Sequence, residues 1–484
     1  MNVHRKPAAW AGEAAAAPDG DRAGRLSPAV WQVVGVAAMG SFMAQLDATV
    51  VNVSLGSLSR DLHAGLTTIQ WVMSGYLLAL ALVLPLNGWL VDRIGAKAVY
   101  LWCFATFTLA SALCGLAWSA GSLIAFRVLQ GMSGGLLAPM AQMMVARVAG
   151  RQMPRVASFV SIPVLLAPLL GPVVAGGILH YASWRWLFLV NLPVGVLAFA
   201  LAAVLLDDDR NETQPRTLDV AGLSLLSPGL VLFLYGSDHA DASIGQVSLA
   251  LSIVVLAWFC QNASRKGDAA LINLQLLRNE PFAASVVVMF MMNGVSFAGQ
   301  MLVPIYLTRG CGLSPERSGL LLVPLGLGMM CTYPFMGFLT DRFGIRGLTG
   351  AGALLALAGT VPLLFLAGHG LSVPLLAASL FLRGAGISAV GVPSMSAGYA
   401  TIAKRELPMA TTASNIVQRL GGPTWTTVCA TFLGWRLSAI SGSASTAEAF
   451  VATFALLSAL HAALCLTTLR LPAVLADPEP DQRG

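Results

Sequence analysis

The sequence predicts an all-α integral membrane protein with fourteen transmembrane helices. Three observations carry that prediction. Of the 484 residues, 56% are hydrophobic and 10% charged, with a mean hydropathy of +0.75. A soluble domain carries about 25% charge, so no ordinary core would hide this much apolar surface from water. Apolar stretches of about 18 to 25 residues, each long enough to cross ~30 Å of hydrocarbon as a helix, recur along the whole chain. Lysine and arginine then alternate sides as a multi-span chain requires. The 49 glycines and 25 prolines agree, since both are more frequent in membrane helices than in soluble ones.

Taken in order, the spans fall at 29–53, 68–90, 99–118, 122–147, 157–179, 187–206, 219–236, 246–263, 282–307, 317–339, 348–367, 373–398, 409–433 and 448–469. Helices are the only sensible form, because backbone groups in lipid must be satisfied within the segment. With the N-terminus inside, twenty basic residues fall in inner tails and loops and five in outer loops, while Arg127, Arg383 and Arg419 lie within spans. That bias places both termini in the cytoplasm, with the chain in the inner, cytoplasmic membrane. Residues 1–28 read as a disordered tail without an apolar leader and cleavage site. The sequons at Asn52, Asn211 and Asn262 read as chance matches.

Several function classes drop out. The net charge of +6 is spread over short loops rather than gathered on one face, which excludes nucleic acid as a partner. None of the seven cysteines forms a CxxC pair and the six histidines lack ligand spacing, so no metal site is expected. The four lysines follow Arg5, Ala96, Arg265 and Ala403. With no GK dipeptide there is no phosphate-binding P-loop, and no nucleophile–base pair suggests an enzyme.

One acidic residue stands apart. Asp47 alone among the 22 lies well inside a span, in "FMAQLDATVVNVSL". A carboxylate there costs at least ~2.5 kcal/mol, so intramembrane ionisable groups pair or line cavities and are functional by default. Arg127 enters span four from the same side, and at 1.5 Å per residue both lie within roughly 10 Å of the outer boundary. They can face one another. A static Asp–Arg pair is the plainer alternative. Gln130 lies one turn further along the helix and can hydrogen-bond cavity groups.

The loop "GWLVDRIGAKA" (88–98) recurs as "GFLTDRFGIRG" (337–347), 249 residues later and on the same side. A parallel repeat of this kind is what two bundles related by an axis along the membrane normal leave behind.

These stretches resemble the major facilitator superfamily. "GWLVDRIGAKAVYL" is similar to its signature loop, "FRVLQGMSGGLLAPM" (126–140) to its fourth-helix motif, and "APLLGPVVAGGIL" (167–179) to the Gly-Pro motif of its antiporters. "LDATVVNVSL" (46–55) and "WRWLFLVNLPVG" (184–195) resemble its fourteen-span drug:proton antiporter branch. The resemblance covers about 30–470. Ala96 departs from it, standing where the family usually has a basic residue.

The resemblance implies a six-helix bundle at 29–206, an acidic linker at 207–218, two extra helices at 219–263, a second six-helix bundle at 264–470 and a tail at 471–484. It assigns proton coupling to Asp47 with Arg127, and needs no cofactor besides protons. It makes Gly88, Asp92, Arg93, Gly95 and Lys97, echoed by Asp341 and Arg342, an inner gate. There Asp92 meets the start of span thirteen near Leu407-Pro408, Arg93 and Lys97 add salt bridges, and Gly95 makes the turn. Gly171-Pro172 bends span five, and Gly176 and Gly177 pack flat on the partner bundle.

Met292, Asn293, Phe297 and Gln300 of span nine, with Met289 and Met291, suit a repacking wall for varied lipophilic ligands. Ordinary helix packing explains the same pattern. Trp71, Tyr76, Asn415, Gln418 and Arg419 are further cavity candidates. The expected function is proton-coupled export of small lipophilic compounds such as drugs. Export of one endogenous metabolite, and a non-transporting receptor or scaffold, are the alternatives. Expected partners are the lipid bilayer and the substrate, with a monomer, or periplasmic partners in a host with two membranes, left open.

Overall fold

A computed structural model describes residues 28–149, 153–209, 213, 217–438 and 443–473. Among them every regular element is helical and no strand occurs. The first bundle begins with α1 (Pro28–Asp61) and α2 (Leu66–Val83). A 3-10 turn at Leu84–Leu86 joins α2 to α3 (Asn87–Ile94), because Pro85 has no N–H to continue the helix. Then come α4 (Ala96–Gly115), α5 (Ala120–Ala149), α6 (Met153–Tyr181), α7 (Trp186–Leu189) and α8 (Asn191–Leu205).

After the linker, α9 (Val220–Asp238) and α10 (Ser243–Lys266) form an antiparallel pair. The second bundle holds α11 (Glu280–Ile305), α12 (Pro315–Leu321), α13 (Val323–Thr332), α14 (Met336–Thr360), α15 (Pro362–His369), α16 (Val373–Ala400), α17 (Leu407–Ser438) and α18 (Ser443–Thr468). A 3-10 turn at Tyr333–Phe335 carries Pro334, 249 positions after Pro85, so the repeat extends upstream of the two loops. It extends downstream as well, for Gly95 (φ 86) and Gly344 (φ 70) make the same left-handed turn.

Among the described residues, eleven stretches are long and apolar enough to cross a membrane. They differ from the expected fourteen at identifiable places. Arg317–His369 is one stretch containing two expected spans, divided by the turn at Gly344. Expected spans five and thirteen, α6 and α17, are not among the eleven. In α17 the polar run of Thr411, Thr412, Ser414, Asn415, Gln418 and Arg419 lowers the hydropathy.

Small residues set the packing. A Cβ on Gly131 would overlap the Tyr76 carbonyl, and one on Gly135 would sit 2.7 Å from that of Leu80, so α5 presses directly on α2. The extra pair is held across both bundles. Ser227 of α9 donates to the Leu82 carbonyl of α2 (2.7 Å), and Thr427 of α17 donates to the Ser237 carbonyl of α9 (3.2 Å). Asp219 caps α9 by accepting from the Gly222 amide (2.9 Å) and also accepts from Lys266 Nζ (2.5 Å) and the Leu271 amide (3.1 Å). Burial alone would raise its carboxyl, but Lys266 and the two amides together hold it below the usual carboxylate range.

Candidate functional site

Asp47 lies in the interior of the first bundle, 2% exposed, facing Arg127 at 1%. Arg127 Nη1 donates to Asp47 Oδ2 at 2.5 Å, and Gln130 Nε2 and Asn191 Nδ2 both donate to Oδ1 at 2.9 Å. The guanidinium is tied down further. Its Nε donates to the Val72 carbonyl (3.1 Å), its Nη1 to Gln130 Oε1 (2.7 Å), and it lies 4.1 Å over the ring of Tyr76. Gln130 Nε2 also donates to Ser111 Oγ (2.7 Å). Five helices, α1, α2, α4, α5 and α8, therefore supply one polar cluster within an apolar bundle. Every carboxylate oxygen has a donor, as a buried charge requires.

Two expected cavity residues belong here instead. Gln130 is fully buried because both its amide groups are committed to the cluster. Tyr76 is 1% exposed because its ring forms the bed for Arg127. Asn191 and Ser111, which complete the cluster, were not singled out by the sequence reading. Asn191 was visible only as the lone amide in "FLVNLPVG".

The bundles meet at the end carrying the two DR loops. Gly88 approaches α17 so closely that a Cβ would be 3.4 Å from both the Pro408 oxygen and Met409 Cα. Beside it Asn87 Nδ2 donates to Thr412 Oγ1 (3.1 Å). The second copy does the same to α6, where a Cβ on Gly337 would lie 2.6 Å from Arg155 Cβ. Gln142 of α5 accepts from Asn415 of α17 (2.8 Å) and from the Tyr399 hydroxyl of α16 (3.2 Å). Asn415 is thus a buried cross-bundle tie rather than a cavity liner.

Of the charged loop residues, Arg93 and Lys97 make their contacts within their own bundle. Asp92 is partly buried beside Met409, whereas Asp341 and Arg342 are exposed. Arg93 is exposed and lies 5.4 Å over Trp89, and Lys97 Nζ donates to the Leu206 carbonyl just after α8. The expected salt bridges from Arg93 and Lys97 across the gate are thus replaced by these local contacts. Asp209 caps α4 through the Ala96 (2.7 Å) and Lys97 (3.2 Å) amides and pairs with Arg147 at 3.0 Å. At the repeat positions, Arg346 Nε donates to the Leu471 carbonyl (2.6 Å) and the Ile345 amide to that of Ala473 (3.1 Å).

The remaining expectations divide. Gly171 packs on Thr49 of α1, within its own bundle, while Gly176 and Gly177 have open space and are exposed rather than flat on the partner bundle. The side chain of Pro172 lies outside the described ones. Met289, Met291 and Met292 are buried in the core, with Met292 Sδ 3.1 Å from where a Cβ of Gly391 would be, so ordinary packing accounts for them. Asn293 is half-buried and donates to the Met289 carbonyl (3.2 Å). Phe297, Gln300 and Trp71 are exposed, and Gln418 and Arg419 half-buried, with the Arg419 charge felt at Tyr76.

This architecture defines a polytopic helical membrane protein with a buried ion pair and a glycine-lined junction between two repeated bundles. The Major Facilitator Superfamily profile matches residues 37–426, and the chain belongs to that superfamily. It is a transporter rather than an enzyme. It is 33% identical over 422 residues to a "Multidrug resistance protein B homolog" of Mycobacterium tuberculosis (strain ATCC 25618 / H37Rv), covering 86% of this chain and 78% of that one. It is 31% identical over 479 residues to "Putative multidrug resistance protein MdtD" of Klebsiella pneumoniae (strain 342), covering 94% and 95%. Solved structures similar in fold include the human organic anion transporter MFSD10 (TETRAN), with a TM-score of 0.63 and 17% identity over 91% of this chain and all of that one. The proton:xylose symporter XylE bound to 6-bromo-6-deoxy-D-glucose gives 0.60 and 15%, over 89% and 94%.

Proposed function

We propose that the chain is a proton-coupled antiporter that exports small lipophilic compounds across the cytoplasmic membrane by alternating access. In this reading it has fourteen spans and both termini in the cytoplasm. The observation that carries the reading is the buried Asp47–Arg127 pair, the one carboxylate set deep in a span. The names of the relatives above support drug-like substrates.

Asp47 binds the coupling proton. Neutralising it removes the charge that holds Arg127 and loosens the tie between α1 and α5, while Gln130 and Asn191 keep hold of the side chain. Export then follows as the bundles rock about the midplane. The Gly88–Met409 and Gly337–Arg155 contacts form the inner gate, and their closure corresponds to the state open or occluded toward the outside. The ties of the gate include the Asn87–Thr412, Asn415–Gln142 and Tyr399–Gln142 hydrogen bonds, each worth about 1 kcal/mol.

The test is substrate-induced proton movement in reconstituted vesicles. Wild type is expected to move protons on addition of a lipophilic cation or antibiotic, and Asp47→Asn to move none while still binding a neutral substrate. Full coupling in Asp47→Asn would reduce the pair to a static helix contact. A resistance panel in a pump-deficient host would separate broad drug export from export of a single metabolite.

A further inference from the structure

The second bundle has a buried arginine of its own. Arg383 lies inside α16, 1% exposed, as buried as Arg127 of α5. Its Nη2 donates to the Val295 carbonyl of α11 at 2.6 Å. A Cβ on Gly299, one turn along α11, would overlap the guanidinium, so the glycine makes room for it. The remaining Nε and Nη1 have no acceptor.

Among the described residues no carboxylate pairs with this charge. The acidic residues described between 264 and 470 are Asp268, Glu280, Glu316, Asp341, Glu406 and Glu448, all near helix ends or in loops. Ser296 lies one repeat interval, 249 residues, after Asp47 and one helical turn before Gly299, and its hydroxyl is buried without a partner. His461 of α18 is fully buried, feels the Arg383 charge, and has an unpartnered Nε2 while its Nδ1 faces the Leu457 carbonyl at 2.9 Å. Cys429 of α17 is the other group within reach of that charge. In the first bundle five helices converge on a neutralised arginine. In the second, α11, α16, α17 and α18 converge on an arginine lacking its anion. A lone buried cation is among the costliest arrangements in a protein, and water does not neutralise it.

We propose that Arg383, with Ser296, forms an anion-binding site inside the second bundle that takes a small monoanion, a halide or a carboxylate. Arg383 supplies the charge and two free N–H donors, and Ser296 a hydroxyl. His461 spends its Nδ1–H on the Leu457 carbonyl, so the anion's donors come from Arg383 and Ser296. The site binds one negative charge, because Arg383 is the one charge it has to balance. Arg383 and Ser296 are both buried, so only a small ion can reach them.

The experiment uses the purified full-length protein in lipid nanodiscs, with melting temperature read against sodium chloride, acetate or gluconate at constant ionic strength and pH. The expected result is saturable stabilisation by chloride or acetate and none by gluconate, which is too large. A chloride response alone identifies a halide site, and an acetate response a carboxylate site. Ser296→Asp supplies the missing carboxylate in place, so its melting temperature should rise in gluconate and lose the anion dependence. Arg383→Met should also lose the dependence. Arg383→Lys, which keeps the charge but not the planar donors and so guards against misfolding of the Met variant, is expected to weaken the response at least tenfold. No saturable response in wild type overturns the proposal, as does an unchanged response in both Ser296→Asp and Arg383→Lys.

Discussion

Asn191, the first residue of α8, donates to Oδ1 of Asp47 at 2.9 Å across 144 positions of sequence. A hydrogen bond to a charged group is worth about 1.5–3 kcal/mol, and losing this one frees α8 from the ion pair. Asn191→Leu should therefore slow coupled efflux several-fold in proteoliposomes while the protein still folds. An unchanged efflux rate would show that Asn191 only packs.

Breaking the ion pair from either side leaves a buried charge unanswered, at about 3–5 kcal/mol. Arg127→Ala should lower stability by that order and abolish coupling. Arg127→Met with Asp47→Leu should recover most of the stability and none of the transport. Thermal melting paired with vesicle transport separates the two effects.

The gate loops should respond unequally. Asp92 is partly buried against the α17 end, whereas Asp341 is exposed. Asp92→Asn should reduce efflux severely at normal expression, and Asp341→Asn should do less. For the glycines the order reverses. A methyl on Gly337 would lie 2.6 Å from Arg155 Cβ, one on Gly88 only 3.4 Å from its nearest neighbours. Gly337→Ala should therefore impair transport more than Gly88→Ala, as measured by initial efflux rates.

Asp219 gives a pH-dependent contribution to stability. Its folded-state value lies below the ordinary 3.8, so its stabilisation is complete above that value and is lost as pH falls through the lowered one. Asp219→Ala also removes the cap of α9, typically about 0.5–2 kcal/mol. The melting temperature of the variant should be lower than wild type at pH 7, with the gap narrowing below about pH 4.

A reporter fused after residue 265 should read cytoplasmic and one after 240 external. The 19 residues of α9 and 24 of α10 extend about 28 and 36 Å, enough for each to cross. Two cytoplasmic readings would mean that the pair does not span.

The sequence made some of this legible for physical reasons. Asp47 and Arg127 stand out because a lone charge in an apolar run is rare and both sit at matching depth. Asn191 and Ser111 do not, because an amide or hydroxyl in a span carries little penalty and its partner is set by where α4 and α8 converge. Glycines announce close approach without its direction, so Gly171 was found against α1 and Gly176 and Gly177 against nothing. Methionines facing a core or a cleft look alike in one dimension, and those of α11 face the core. Gln142 gave no signal until α16 and α17 were seen to reach it.

The Asp47–Arg127 pair also has an electrical consequence. With the carboxylate ionised the pair sums to zero, and with a proton bound it carries one positive charge. In the proposed cycle the loaded and unloaded carriers therefore differ by a unit charge inside the low-dielectric slab. A charge carried across the whole field gains about 2.3 kcal/mol per 100 mV. Voltage, interior negative, would then pull the protonated form inward even where the two sides have equal pH, and exchange of a neutral compound for a proton would register as current.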